Sequence, residues 1–261
     1  MLMDILEELG SAALFFRDIV RTGLRTGGSW DLIMAQVASV SIRSLPTVAF
    51  AGVFVGAIIV LQFNTILAAY DAQTFLGGLN SSAIIREVGP LIISFLLAGK
   101  VGAYTAAELG TMRVTEQIDA VECLGTDPIQ YLIIPRFFGI VLSTIILLGI
   151  GLVISIAGSM AVANYLCGIN PLQFATSIPQ FTSLWTLFCG LFKSMVYGFI
   201  VALVSCHQGF TASGGAKGVG KAVTRAAIYT NFYIVLANYL VSDFLRFAYE
   251  VYVYLFVGIT G

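Results

Sequence analysis

Long apolar runs, each wide enough to cross a bilayer, leave this 261-residue chain few ways to fold. A membrane-spanning helix needs about 20 mostly apolar residues, because ~1.5 Å of rise per residue must cover a hydrocarbon core of about 30 Å. Five segments meet that need, at about residues 45–70, 84–107, 133–165, 185–205 and 228–256. Arg86, Glu87, Pro90 and Lys100 interrupt the second, and the third is long enough to tilt. Only 10% of residues are charged and 58% are hydrophobic, whereas a soluble domain carries about 25% charged residues. A water-soluble fold would lack the polar material to cover its surface. Lipid removes that need but leaves backbone groups no water to bond, so they must be paired internally. The predicted fold is therefore an all-α integral membrane protein, a single domain with residues 45–261 as the transmembrane bundle.

Residues 1–44 precede the bundle. The opening MLMDILEELG is acidic and does not read as a secretory signal, which starts basic. Leu2, Ile5, Leu6, Leu9, Ala13, Phe16 and Val20 recur at helical spacing, with Arg17, Arg21 and Arg25 along the same stretch. That pattern predicts an amphipathic helix lying in the membrane interface. Basic residues then set the orientation. Arg17, Arg21, Arg25 and Arg43 come before the first span, Arg113 and Arg136 flank the connection from second to third, and Lys217, Lys221 and Arg225 occupy that from fourth to fifth. The connections at residues 71–83 and 164–184 contain no Lys or Arg. By the positive-inside rule the N-terminus is cytoplasmic and the C-terminus lies outside.

Several functions are excluded early. A net charge of −1 offers no basic field for nucleic acid. Cys123, Cys167, Cys189 and Cys206 form no CxxC pair and read as small apolar packers. A single histidine leaves a zinc site or a hydrolytic triad without enough players. No metal ligands and no catalytic residues are assigned. GAKGVGK at residues 215–221 fits a phosphate-loop spacing, yet Ala222 stands where Ser or Thr would hold magnesium, and an apolar segment precedes it instead of a strand. It reads as a flexible basic loop.

The most informative stretch is residues 86–127, REVGPLIISFLLAGKVGAYTAAELGTMRVTEQIDAVECLGTD. From Glu108 to Glu122 polar groups fall at Glu108, Arg113, Thr115, Glu116, Asp119 and Glu122, against an apolar counter-face of Met112, Ile118 and Val121. This predicts a short amphipathic helix across the cytoplasmic mouth of the bundle, stopped by Gly125, Asp127 and Pro128. Inside the membrane an ionisable group needs a partner or water. If the fourth span enters from outside, Lys193 reaches the depth of Arg86 and Glu87, so these three form a candidate cluster, as a staple between spans or as a patch for a lipid phosphate. Asp243, Arg246 and Glu250, three and four residues apart, are suited to pair with one another near the outer headgroups. Gly52 and Gly56 make a GxxxG that lets another helix approach closely.

REVGP, the run AGKVGAYTAAELGTMRVTEQIDAVECLGTDP, PRF at residues 135–137 and GVGKAVTRA at residues 218–226 resemble the signature of MlaE/YrbE permeases, the membrane subunits of MCE-associated lipid ABC transporters. The resemblance spans nearly the whole chain and is strongest in the central run. It implies a homodimer in the bacterial inner membrane with a cytoplasmic ABC ATPase under each copy. It further implies a periplasmic MCE-domain protein, a hexameric ring, and a small cytoplasmic accessory subunit. Phospholipid would move between the inner membrane and the ring, supporting outer-membrane lipid asymmetry or lipid import. ATP and magnesium would be bound by the partner, leaving this chain without a cofactor and without enzymatic activity of its own. The helix carrying Glu108, Gly110, Arg113, Thr115, Glu116 and Asp119 would be the coupling helix that docks into the ATPase. A lipid cavity between the first and last spans at the dimer interface makes Leu61, Leu67, Ile234, Leu236 and Tyr239 candidate lining. The alternative is an ion-coupled secondary transporter, which predicts internal repeats that the halves do not display. A membrane-embedded enzyme is the third reading, with Glu116, Asp119 and Glu122 as its carboxylates.

Overall fold

The computed structural model describes residues 2–26 and 29–256, with side chains for residues 10–25, 29–251, 253 and 254. Among the described residues the chain is helical with no strand, as the apolar runs require. The helices are α1 (Leu2–Thr26), α2 (Trp30–Ala68), α3 (Gln73–Val114, nearly continuous), α4 (Gln117–Cys123), α5 (Ile129–Cys167), α6 (Pro171–Phe181), α7 (Leu184–Phe210) and α8 (Gly215–Phe256). Four of them, α2, α3, α5 and α7, are long and apolar enough to cross a membrane.

The fifth predicted span lies inside α8, a single 42-residue helix of about 60 Å that packs along α7 and α3. Asn231, Asn238, Ser242 and Asp243 lower its apolar character, so hydropathy does not single it out with the other four. The 215–221 segment is also not a loop. Positive φ at Gly214 and Gly215 turns the chain, and the helix begins at once, placing Lys217 and Lys221 in its first turns.

The first long helix starts at Trp30, so residues 30–44 belong to it and not to an interfacial region. It continues through Pro46, which has no N–H to bond backward. Near that break Lys100 Nζ donates to the Arg43 carbonyl at 2.6 Å and to Thr47 Oγ1 at 2.8 Å. The axis of the bundle is α2 against α5. A methyl at Gly56 would overlap the Ser155 carbonyl oxygen and stand 2.8 Å from Ser159 Oγ; one at Gly52 would come within 3.1 Å of the Gly151 carbonyl. Small residues on both helices thus let the backbones nearly touch, within one chain.

α1 packs through a face one step from the predicted one. Phe15 and Ile19 are buried, with Phe15 against His207 and Phe210 and Phe16 edge-on to Phe199, whereas Val20 stays 39% exposed. The side chains of Leu2, Ile5, Leu6 and Leu9 lie outside those described. The two basic-free connections carry helices too. Gly77 and Gly78 in the opening turns of α3 bring it against Phe174, Ser177 and Phe181 of α6, and Gly78 N–H donates to Ser177 Oγ at 3.0 Å. Asn170 caps α6 by accepting from Leu172 N–H at 2.9 Å, with Pro171 supplying a ready helical φ.

Candidate functional site

Three helices converge on Lys193. Within α3, residues Ile84–Val88 form a π-helical turn, a local widening common at functional positions. Pro90 follows and has no N–H for the carbonyl four residues back, which is that of Arg86. Lys193 Nζ donates to that carbonyl at 2.9 Å. It also pairs with Glu87 Oε2 at 2.6 Å and donates to Ser242 Oγ of α8 at 2.7 Å. Gly190, one turn earlier on α7, sits against the Ile85 carbonyl, where a methyl would stand 2.6 Å from the oxygen; the close approach brings the ammonium within reach.

The Lys193 side chain is 1% exposed and Glu87 49%, so the pair joins a buried cation to a carboxylate at the rim. Three acceptors around one ammonium satisfy all its protons. Arg86 enters the cluster by its backbone; its side chain is exposed, and no carboxylate among the described residues pairs with it. Tyr197, one turn beyond Lys193, donates to Asn238 Oδ1 at 2.6 Å, and Ser242 bonds back to the Asn238 carbonyl at 2.6 Å. Sequence reasoning missed Tyr197, Asn238 and Ser242. Their signal was present, as two pairs of polar residues four apart within apolar helices. On the same C-terminal part of α8, Arg246 pairs with Asp243 at 2.7 Å, both exposed.

The second polar feature is the connection from α3 to α5. It is not one helix from Glu108 to Glu122. Residues through Val114 finish α3, Glu116 takes a left-handed conformation with φ 60°, and α4 begins at Gln117. The break is tied by Arg113, which pairs with Asp119 at 2.6 Å and lies 5.9 Å over the Phe210 ring. Glu108 pairs with Arg136 of α5 at 3.2 Å, and Arg136 also donates to the Leu132 carbonyl at 3.0 Å. Thr115 Oγ1 bonds the Thr111 carbonyl at 2.8 Å, and Gly110 lies under Ala212 and Val219. Ile118 is the buried anchor of α4, at 1% exposure. The turn leaves Glu116, Glu122 and Leu124 exposed, the last at 83%, a surface of acids around one apolar side chain that sequence reasoning did not pick out. Asp127 Oδ1 accepts from Ile129 N–H at 2.8 Å and starts the next helix.

The candidate lipid-lining residues divide. Leu61, Leu236 and Tyr239 are exposed and Leu67 is half-buried, while Ile234 is fully buried in the core and faces no groove of this chain. Gly52 and Gly56 face α5 of the same chain. Among the described residues no group of His, Cys, Asp and Glu could hold a metal ion.

Residues 33–244, from the first turn of α2 to the C-terminal part of α8, match the family model described as Permease MlaE. The chain is 40% identical over 209 residues to a probable ABC transporter permease protein of Synechocystis, covering 80% of each chain. It is 36% identical over 239 residues to a probable ABC transporter permease protein of Rickettsia typhi, covering 92% of each. The chloroplastic protein Trigalactosyldiacylglycerol 1 of Arabidopsis thaliana is 33% identical over 215 residues, 82% of this chain and 61% of that one.

Proposed function

Because the chain belongs to the MlaE permease family, we propose that it is the membrane subunit of an ABC transporter moving phospholipid between the inner membrane and a periplasmic MCE-domain protein. The observation that carries this reading is the match over residues 33–244, which runs from the first turn of α2 through α3, α5 and α7 into α8. The names of the Synechocystis and Rickettsia relatives support an ABC permease, and that of the Arabidopsis relative, built on a diacylglycerol lipid, supports a lipid cargo. The chain works as a homodimer, and a separate cytoplasmic ATPase binds ATP and magnesium. The N-terminus is cytoplasmic and the C-terminus periplasmic, a reading that the distribution of basic residues supports. The cargo's acyl chains run along the outward apolar faces of α2 and α8, where Leu61, Leu236 and Tyr239 are exposed. Its phosphate meets the exposed Arg86 guanidinium, with Lys193 and Glu87 holding α3, α7 and α8 together behind it. The tied turn from Glu108 to Leu124 docks into the ATPase and transmits its closure as a rigid-body push.

The test is purification of the chain with and without its ATPase and MCE partners, followed by mass spectrometry of copurifying lipid and an ATP-hydrolysis assay. Phospholipid in the preparation and hydrolysis only in the complex, reduced in Arg113→Ala or Glu116→Ala, is the expected result. A chain that forms no complex with an ATPase, yet moves solute alone down an ion gradient, would be a secondary transporter.

A further inference from the structure

An apolar cavity of about 400 Å³ lies beneath α1, walled by Phe16, Ile19, Val20, Leu24, Trp30 and Phe137. Its size falls within the ~300–1,000 Å³ of pockets that hold small ligands. The lip is open, since Val20 is 39%, Leu24 84% and Trp30 71% exposed. Exposed indole rings of membrane proteins concentrate at headgroup depth, so Trp30 marks the mouth as interfacial. Arg17 and Arg21 precede Val20 and Leu24 by three residues each, which makes them their neighbours on the helix surface. Among the described residues Arg17 pairs with Asp18 alone, at 3.2 Å, and no carboxylate pairs with Arg21.

A greasy slot opening at the interface, with Arg17 and Arg21 next to its lip residues on the helix surface, matches a molecule with an alkyl chain and an adjoining negative charge. We propose that this cavity is a resident site for an anionic phospholipid of the leaflet that α1 lies against, one acyl chain in the slot and the phosphate at Arg17 and Arg21. Its walls share no residue with the Arg86, Glu87 and Lys193 cluster, and the whole of α1, which ends at Thr26, precedes the family match, so the site stands or falls independently of the transport reading. An occupied slot adds a tie between α1 and the starts of α2 and α5.

Trp30 and Trp185 are the two tryptophans of the chain, so Trp185→Phe leaves Trp30 as the sole reporter. The full-length variant would be placed in phosphatidylcholine nanodiscs doped with a small fraction of chain-brominated phosphatidylglycerol or, separately, the same fraction of brominated phosphatidylcholine. The expected result is stronger, saturable quenching by the anionic lipid, each arginine contributing roughly a fivefold preference. Arg17→Gln with Arg21→Gln should bring the two lipids to equal quenching, while Arg17→Lys with Arg21→Lys keeps most of the preference. Gly23→Leu fills the slot, since a Cβ at Gly23 meets only Ile134 Cδ1 at 3.8 Å, and should lower quenching with the arginines intact. Thermal unfolding of each variant confirms that it is folded. Equal quenching by both lipids in the parent protein would reduce the slot to ordinary annular contact and overturn the proposal. A preference that survives loss of both arginines, or filling of the slot, would overturn it as well.

Discussion

Neutralising Glu87 tests both the packing and the chemistry of the Lys193 cluster. In Glu87→Gln the buried ammonium keeps two neutral acceptors, the Arg86 carbonyl at 2.9 Å and Ser242 Oγ at 2.7 Å, and loses its counter-charge at 2.6 Å. Breaking a fully buried pair costs about 3–5 kcal/mol. Glu87 is 49% exposed, so solvent already weakens the attraction, and the expectation falls to about 2 kcal/mol. Lys193→Met removes the charge itself and leaves a carboxylate that solvent can reach. Its main cost is the Arg86 carbonyl, which loses its donor because Pro90 offers none, about 1–2 kcal/mol. The double variant contains no unpaired charge and should cost little more than Lys193→Met alone, a coupling of about 2 kcal/mol. Reversible denaturation in mixed micelles, followed by circular dichroism, measures all three. Effects that simply add, within about 0.5 kcal/mol, would refute the pairing argument. Lipid-stimulated ATP hydrolysis of the assembled complex then separates the two roles. Hydrolysis that returns with stability in the double variant marks a staple, and hydrolysis that stays low assigns the ammonium to the transported lipid.

Gly56→Ala should cost about 1–3 kcal/mol in the same denaturation assay, because the new methyl overlaps the Ser155 carbonyl, whereas Gly149→Ala, with nothing within 4 Å, should be neutral or slightly stabilising. Arg113→Glu should leave stability nearly unchanged, since an exposed pair is worth about 0.2–1 kcal/mol, yet uncouple ATP hydrolysis in the complex; adding Asp119→Arg should restore it. Glu116→Gly should stabilise the chain by about 1 kcal/mol by relieving a left-handed backbone, and Glu116→Val should destabilise it, both read from thermal unfolding. Ser177→Ala should cost about 1 kcal/mol, the bond that Gly78 N–H loses, and loosen α6 from α3, measured as faster hydrogen exchange at residues 76–83.

The apolar runs by themselves determined that this chain is a helical membrane protein. Lipid offers no alternative partner for backbone groups, so length and hydropathy locate α2, α3, α5 and α7 with little reference to anything else. Sequence also brought Lys193 to the level of Arg86 and Glu87, since helical rise converts residue number into depth. What sequence could not give was rotation about each axis. Only packing decided that Arg86 offers its carbonyl and turns its side chain outward, that Ser242 and Asn238 of α8 complete the cluster, and that Phe15 rather than Val20 faces inward. Helix boundaries depended on tertiary contacts in the same way. The residues from Glu108 to Glu122 have a good helical pattern, yet the chain breaks at Glu116, where Arg113 reaches Asp119 across the turn and Ile118 is drawn into the core. The 71–83 and 164–184 segments read only as connections between spans because their helical stretches are short and gain stability from each other, through backbones that meet at Gly77 and Gly78. Periodicity reports what one segment prefers; which neighbour satisfies it is a property of the assembled bundle.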